Sequence, residues 1–280
     1  MYFTIMSDEN KLDYKLDYKL DYDKTKNLLT PYFLPFKRLV TYRGLENVVE
    51  EGPNIIIANH PGVGKDIAGL LKIYDRQLYF TASDFLFEKE TIINTAKEYC
   101  GNNYWGKFKY TLLTPIVYKF ANFLPQKMKK YGMIPIPIKN NLSREKVVMS
   151  LRKAIEVTKD HLKKGHAAVF FQIPLSMAKQ ASNGFYEISE HHSYLFKFHN
   201  TVSNIVHDLY NEGLKVPITP IAFYGGVGIN PFRKMIMNIG APVYLDSIKP
   251  RNSIPEFTDF LEQKVAALLV DAGIPRHIKK

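Results

Sequence analysis

The chain has 280 residues, of which 46% are hydrophobic and 13% aromatic, with 18 Tyr, 18 Phe and one Trp. That composition excludes a disordered or fibrous chain and provides for a substantial core. Thirty-eight Lys and Arg against 27 Asp and Glu leave a formal charge of +11, which favours anionic partners such as acidic headgroups, a polyphosphate cofactor or nucleic acid. One cysteine, Cys100, rules out an internal disulfide and fits a reducing compartment.

The start, MYFTIMSDEN, has too short an apolar run for a secretory signal. Residues 11–22 repeat KLDY three times, and residues 1–27 are read as a low-complexity tail. Residues 28–273 form the predicted domain, followed by a basic tail over 274–280.

Gly52-Pro53 marks a turn, and Ile55–Ala58 is a short buried strand. Apolar residues at 67, 70, 71 and 74 give helical spacing, with Asp66 in the first turn, where a carboxylate suits the helix dipole. A second strand follows at Gln77–Ala82.

The segment at about 88–131 breaks the alternation and reads as a helical insertion. Within it, Tyr110–Leu124 is too short, and too interrupted by Pro115 and Lys119, for the roughly 18 apolar residues of a spanning helix. Its aromatics are either interior packing or a surface for acyl chains or a membrane.

Ile134–Ile138 is a strand confined to an edge by its prolines. A helix then runs from Ser143 to Gly165. Strands are predicted at Ala167–Gln172, Val216–Tyr224 and Met235–Gly240, and a helix near Val202–Tyr210. Ser253 and Glu256 form a capping box for the last helix, which Gly273 ends. Strands alternating with helices predict an α/β layered domain, its central sheet mostly parallel or mixed and flanked by helices.

The residues with chemistry are Asn59-His60-Pro61-Gly62-Val63-Gly64-Lys65-Asp66. A buried strand delivers a histidine into a Gly-rich turn, and a carboxylate opens the next helix. The carboxyl end of a parallel strand is where α/β sheets place reacting groups. Histidine takes a proton from a hydroxyl near neutral pH, and a carboxylate on its other nitrogen fixes the tautomer. A phosphate loop would need Gly at Asn59 and Ser or Thr at Asp66, so that pattern fails. His191, His192, His199 and His207 have no ligand spacing for a metal.

From about Tyr42 to Leu269 the order of short blocks resembles the glycerolipid acyltransferase family, which includes lysophosphatidate and glycerol-phosphate acyltransferases. The blocks are Gly44-Leu45-Glu46-Asn47, then Asn59-His60 with Asp66, then GMIPIPIK at 132–139. After these come AAVFF at 167–171, VPITPIA at 216–222 and Ile239-Gly240-Ala241-Pro242.

The resemblance implies the fold of a glycerol-phosphate acyltransferase, with His60 as general base and Asp66 as its orienting partner. It implies substrate contacts at Gly62, Gly64, Lys65, Lys139, Gln172 and Pro174. It further implies an acyl-CoA or acyl carrier protein donor, a lysophospholipid-type acceptor, no metal or prosthetic group, and peripheral attachment at the cytoplasmic face of a membrane. Nucleic acid is not an expected partner, since the basic residues follow no binding motif.

Two departures stand out. Five residues, Pro61 to Lys65, separate His60 from Asp66 where the family has four. The family's Phe-Pro-Glu-Gly-Thr-Arg block is here Phe171-Gln172-Ile173-Pro174-Leu175-Ser176, without the Glu and Arg that hold the acceptor's phosphate. A second reading is therefore a non-catalytic lipid-binding or scaffolding protein of the same fold.

Overall fold

The computed structural model describes residues 40–61, 65–83, 87–100, 104–130, 132–136, 144–171, 195, 197–225, 234–247 and 253–273. The two predicted tails lie outside the described residues.

Seven strands form one sheet: β1 (Val40–Arg43), β2 (Asn54–Ala58), β3 (Leu78–Ser83), β4 (Ile134–Ile136), β5 (Ala167–Phe171), β6 (Ile218–Gly225) and β7 (Met235–Ile239). Their spatial order is β1-β7-β6-β2-β5-β3-β4. The block β6-β2-β5-β3-β4 is parallel throughout. β7 runs antiparallel to β6, and β1 runs parallel to β7. The chain is thus an α/β protein with a mixed, mostly parallel sheet.

The helices are α1 (Lys65–Ile73), α2 (Lys89–Cys100), α3 (Tyr104–Lys130), α4 (Arg144–Lys163), α5 (Thr201–Asn211) and α6 (Ile254–Asp271). β2 explains the layering. All five of its residues are buried, as in a central strand covered on both faces. Its side chains alternate between two cores. Ile55 and Ile57 face a cluster with Leu162 of α4, Ile205 of α5 and Phe257 of α6. Ile56 and Ala58 face the other, with Leu70 of α1, Tyr74, Phe223 and Met237. The period of two along the strand therefore separates α1 from α4, α5 and α6.

β4 is an edge strand, where the missing N–H of Pro135 costs no central ladder bond. The Ser253–Glu256 capping box is present at α6, and Gly273 follows that helix with φ +110°. Pro115 and Pro125 do not divide α3, which continues through both.

At the far edge, Gly44 stands at φ +72°, and a Cβ there would lie 2.1 Å from the Ile239 carbonyl oxygen. The Asn47 side-chain amide donates to that same oxygen at 3.0 Å. This closure joins the start of the described chain to the end of β7, so that Gly44-Leu45-Glu46-Asn47 and Ile239-Gly240 meet in space.

Candidate active site

β2 and β5 lie side by side, with Ala58 opposite Phe171 at their carboxyl ends. β2 continues into α1 on one face of the sheet, whereas α5, the first described helix after β5, packs on the other. The carboxyl ends of parallel strands are the usual place for a ligand in such sheets. His60 lies two residues beyond the end of β2, at the carboxyl ends of these parallel strands.

Four contacts define its position. The Asn59 side chain behaves as a peptide group towards Phe223 of β6. The Phe223 N–H donates to Asn59 Oδ1 at 2.7 Å, and Asn59 Nδ2 donates to the Phe223 carbonyl at 2.8 Å. Asn59 is fully buried, so the pair anchors the chain immediately before His60 to the neighbouring strand.

On the other side, the His60 ring stacks on Phe171, with centroids 4.5 Å apart and planes 16° from parallel. Phe171, the last residue of β5, in turn stacks on Phe80 of β3 and tilts towards Phe223 of β6.

His60 Nδ1 lies 2.7 Å from Asp66 Oδ2. Asp66 is completely buried and the His60 side chain is 13% exposed. The separation is a short, charge-assisted hydrogen bond in which Nδ1–H donates to the carboxylate. With the proton held there, Nε2 carries the lone pair, the tautomer of a general base. The five-residue spacing between the two does not keep them apart, because Asp66 enters from the first turn of α1.

Lys65, the first residue of α1, is buried. Gly62, Gly64, Lys139, Gln172 and Pro174 lie outside the described residues. His191 and His192 do so as well. His199 is exposed, and His207 meets Phe257 edge to face. Among the described residues no group of three His, Cys, Asp or Glu side chains is placed to hold a metal ion.

No family model and no curated protein matches the chain. Among solved structures, it is similar to the 1-acyl-sn-glycerophosphate (LPA) acyltransferase PlsC from Thermotoga maritima. The match has 16% sequence identity, covers 91% of this chain and 85% of that one, and has a TM-score of 0.44.

Asn59 and Phe171 stand in the quoted sequence blocks, but the sequence assigns neither of them a role at the site. Asn59 carries a signal, since an Asn directly after a buried strand has no local helix to cap and a strand end to tie. Phe171 carries none, because its contact with His60 depends on the order of strands in the sheet.

Proposed function

We propose that the protein transfers a fatty acyl group from acyl-CoA or acyl carrier protein to a hydroxyl of a lysophospholipid-type acceptor at a membrane surface on its cytoplasmic side. One observation carries the reading: a histidine hydrogen-bonded to a fully buried carboxylate at the carboxyl end of the central strand. A pair built this way suits proton abstraction. The order of sequence blocks around it, from Gly44 to Pro242, supports acyl transfer over other uses of a basic histidine.

In this reaction His60 Nε2 takes the proton of the acceptor hydroxyl as its oxygen attacks the thioester carbonyl. The C–O bond of the new ester forms and the C–S bond breaks. The departing thiolate receives the proton from the imidazolium, whose charge Asp66 balances. Stabilisation of the oxyanion would fall to backbone N–H groups of the Gly-rich turn at residues 62–64. As written, the reaction needs no metal or prosthetic group. Lys65, Lys139, Gln172 and Pro174 are proposed on the substrate side of the site, and the missing acidic and basic residues of the 171–176 block leave room for an acceptor without a phosphate monoester.

That same departure favours the second reading, a lipid-binding protein that keeps the fold without turnover. Mass spectrometry of the purified protein incubated with acyl-CoA and a panel of lysolipids separates the two. Acyl transfer predicts a new diacyl species together with free CoA thiol; binding alone predicts the lysolipid recovered unchanged.

A further inference from the structure

α3 is apolar on two opposite sides. Val117 and Ala121 pack on Ile92 and Ile93 of α2, and Met128 continues that buried stripe. At 100° per residue, Trp105, Phe108 and Leu112 fall within about 60° of one another on the far side of the helix. They are exposed, Trp105 at 67% and Leu112 at 69%. Trp105 and Phe108 meet edge to face, and Tyr104 beside them is exposed too. A large aromatic patch facing water marks an interaction surface.

Charge identifies the partner. Over its 27 residues α3 contains six lysines, at 107, 109, 119, 127, 129 and 130, and no Asp or Glu. Lys107 and Lys119 are exposed. Two copies of this helix would bring like charges together, whereas anionic headgroups complement them, with the aromatic rings at the headgroup level. No described helix is long and apolar enough to cross a membrane, so a helix of this kind lies along the surface. The α2–α3 pair departs from the carboxyl end of β3, the same end of the parallel sheet at which His60 lies.

We infer that the outer face of α3, centred on Trp105, Phe108 and Leu112, docks the protein on an anionic lipid bilayer. The inference deepens the proposed function by assigning the membrane contact to particular residues, and rests on that reading only for the purpose of docking. Binding itself is measurable apart from turnover.

Trp105 is the single tryptophan of the chain, so intrinsic tryptophan emission reports this face and no other. The full-length protein is titrated with vesicles of phosphatidylcholine mixed with phosphatidylglycerol, and with phosphatidylcholine alone. Emission is expected to move to shorter wavelength on the mixed vesicles and to be quenched by brominated lipid. Phe108→Ser/Leu112→Ser, which keeps the reporter, is expected to weaken binding by roughly tenfold or more. Lys107→Glu/Lys119→Glu is expected to remove most of the preference for phosphatidylglycerol. Circular dichroism checks that both variants are folded.

His60→Ala is expected to bind like the wild type, which separates docking from catalysis. If docking fails while the wild type still turns over detergent-dispersed lysolipid, the docking inference alone is overturned. Unchanged emission on the mixed vesicles would overturn it, as would a blue shift that follows protein concentration without vesicles, the mark of self-association.

Discussion

Asn59 and Phe223 exchange both hydrogen bonds of a backbone pair although one partner is a side chain. β2 has ended at Ala58, and the amide of Asn59 extends its hold on β6 by one more step. The direction in which His60 leaves the sheet follows from that hold. Replacing Asn59 with Leu leaves a buried N–H and C=O of Phe223 without partners, at a cost of about 1–3 kcal/mol each. Asn59→Leu is therefore expected to lower the urea midpoint, and to reduce turnover by more than the stability loss accounts for when both are measured below the unfolding transition.

Phe171 stacks on one face of the His60 imidazole. Phe171→Leu keeps an apolar side chain but removes the flat surface under His60. The expected result is a fall in kcat of roughly tenfold or more with KM little changed, the signature of a misplaced base rather than lost substrate binding. Phe171→Tyr, which keeps the ring, is expected to retain most of the activity. Equal activity of the Leu and Tyr variants would show that the stack has no positioning role.

At the far edge of the sheet, Gly44 tests the closure between the first strand and the last. Its φ of +72° and the close Ile239 carbonyl leave no room for a side chain. Gly44→Ala is expected to destabilise the protein by about 2 kcal/mol or more. Thermal unfolding followed by circular dichroism measures it. An unchanged midpoint would contradict this packing.

His161 gives the fold a pH dependence of its own. Its ring stacks on Tyr79 with centroids 3.6 Å apart. Burial pushes its pKa down from 6.5 to about 4; the nearby His166 and Lys164 act in the same direction and Asp160 opposes them. His166 is lowered too, by burial and then by Arg76 and Lys164. Between about pH 6.5 and 4 the unfolded chain binds a proton at position 161 that the folded chain refuses. Stability is thus unaffected by this group above pH 6.5, declines as the pH falls towards 4, and loses nothing further from it below. His161→Phe should flatten that decline in a series of urea midpoints. A wild-type midpoint independent of pH across this window would contradict it.

Much of this architecture is legible in the sequence. Ile55-Ile56-Ile57 announces a strand buried on both faces, and the helix carrying Leu151, Ala154, Ile155, Thr158 and Leu162 announces itself by spacing. Asp66 is marked by its place in the first turn of a helix. β1 is not legible: Val40–Arg43 has only four residues, at the sheet edge, following an aromatic-rich stretch that masks its start. The reversal at β7 is not legible either, since residues 235–239 carry no record of the neighbour's direction. The contact of His60 with Phe171 requires β2 beside β5, a tertiary fact. For α3, sequence alone poised the aromatics between core and surface; Tyr104, Trp105, Phe108, Tyr118 and Phe123 are exposed, and the non-aromatic Val117, Ala121 and Met128 face inward.

The central claim is that His60, held by Asp66, is the base of an acyl transfer. The most direct test compares wild type, His60→Ala and Asp66→Asn for release of CoA thiol and formation of acylated lysolipid, with circular dichroism confirming that all three are folded. His60→Ala is predicted to lose at least about 10²-fold in turnover. Asp66→Asn is predicted to lose roughly as much, because an amide in place of the carboxylate favours the wrong tautomer and leaves the imidazolium unbalanced. Turnover by folded His60→Ala close to that of the wild type would contradict the account.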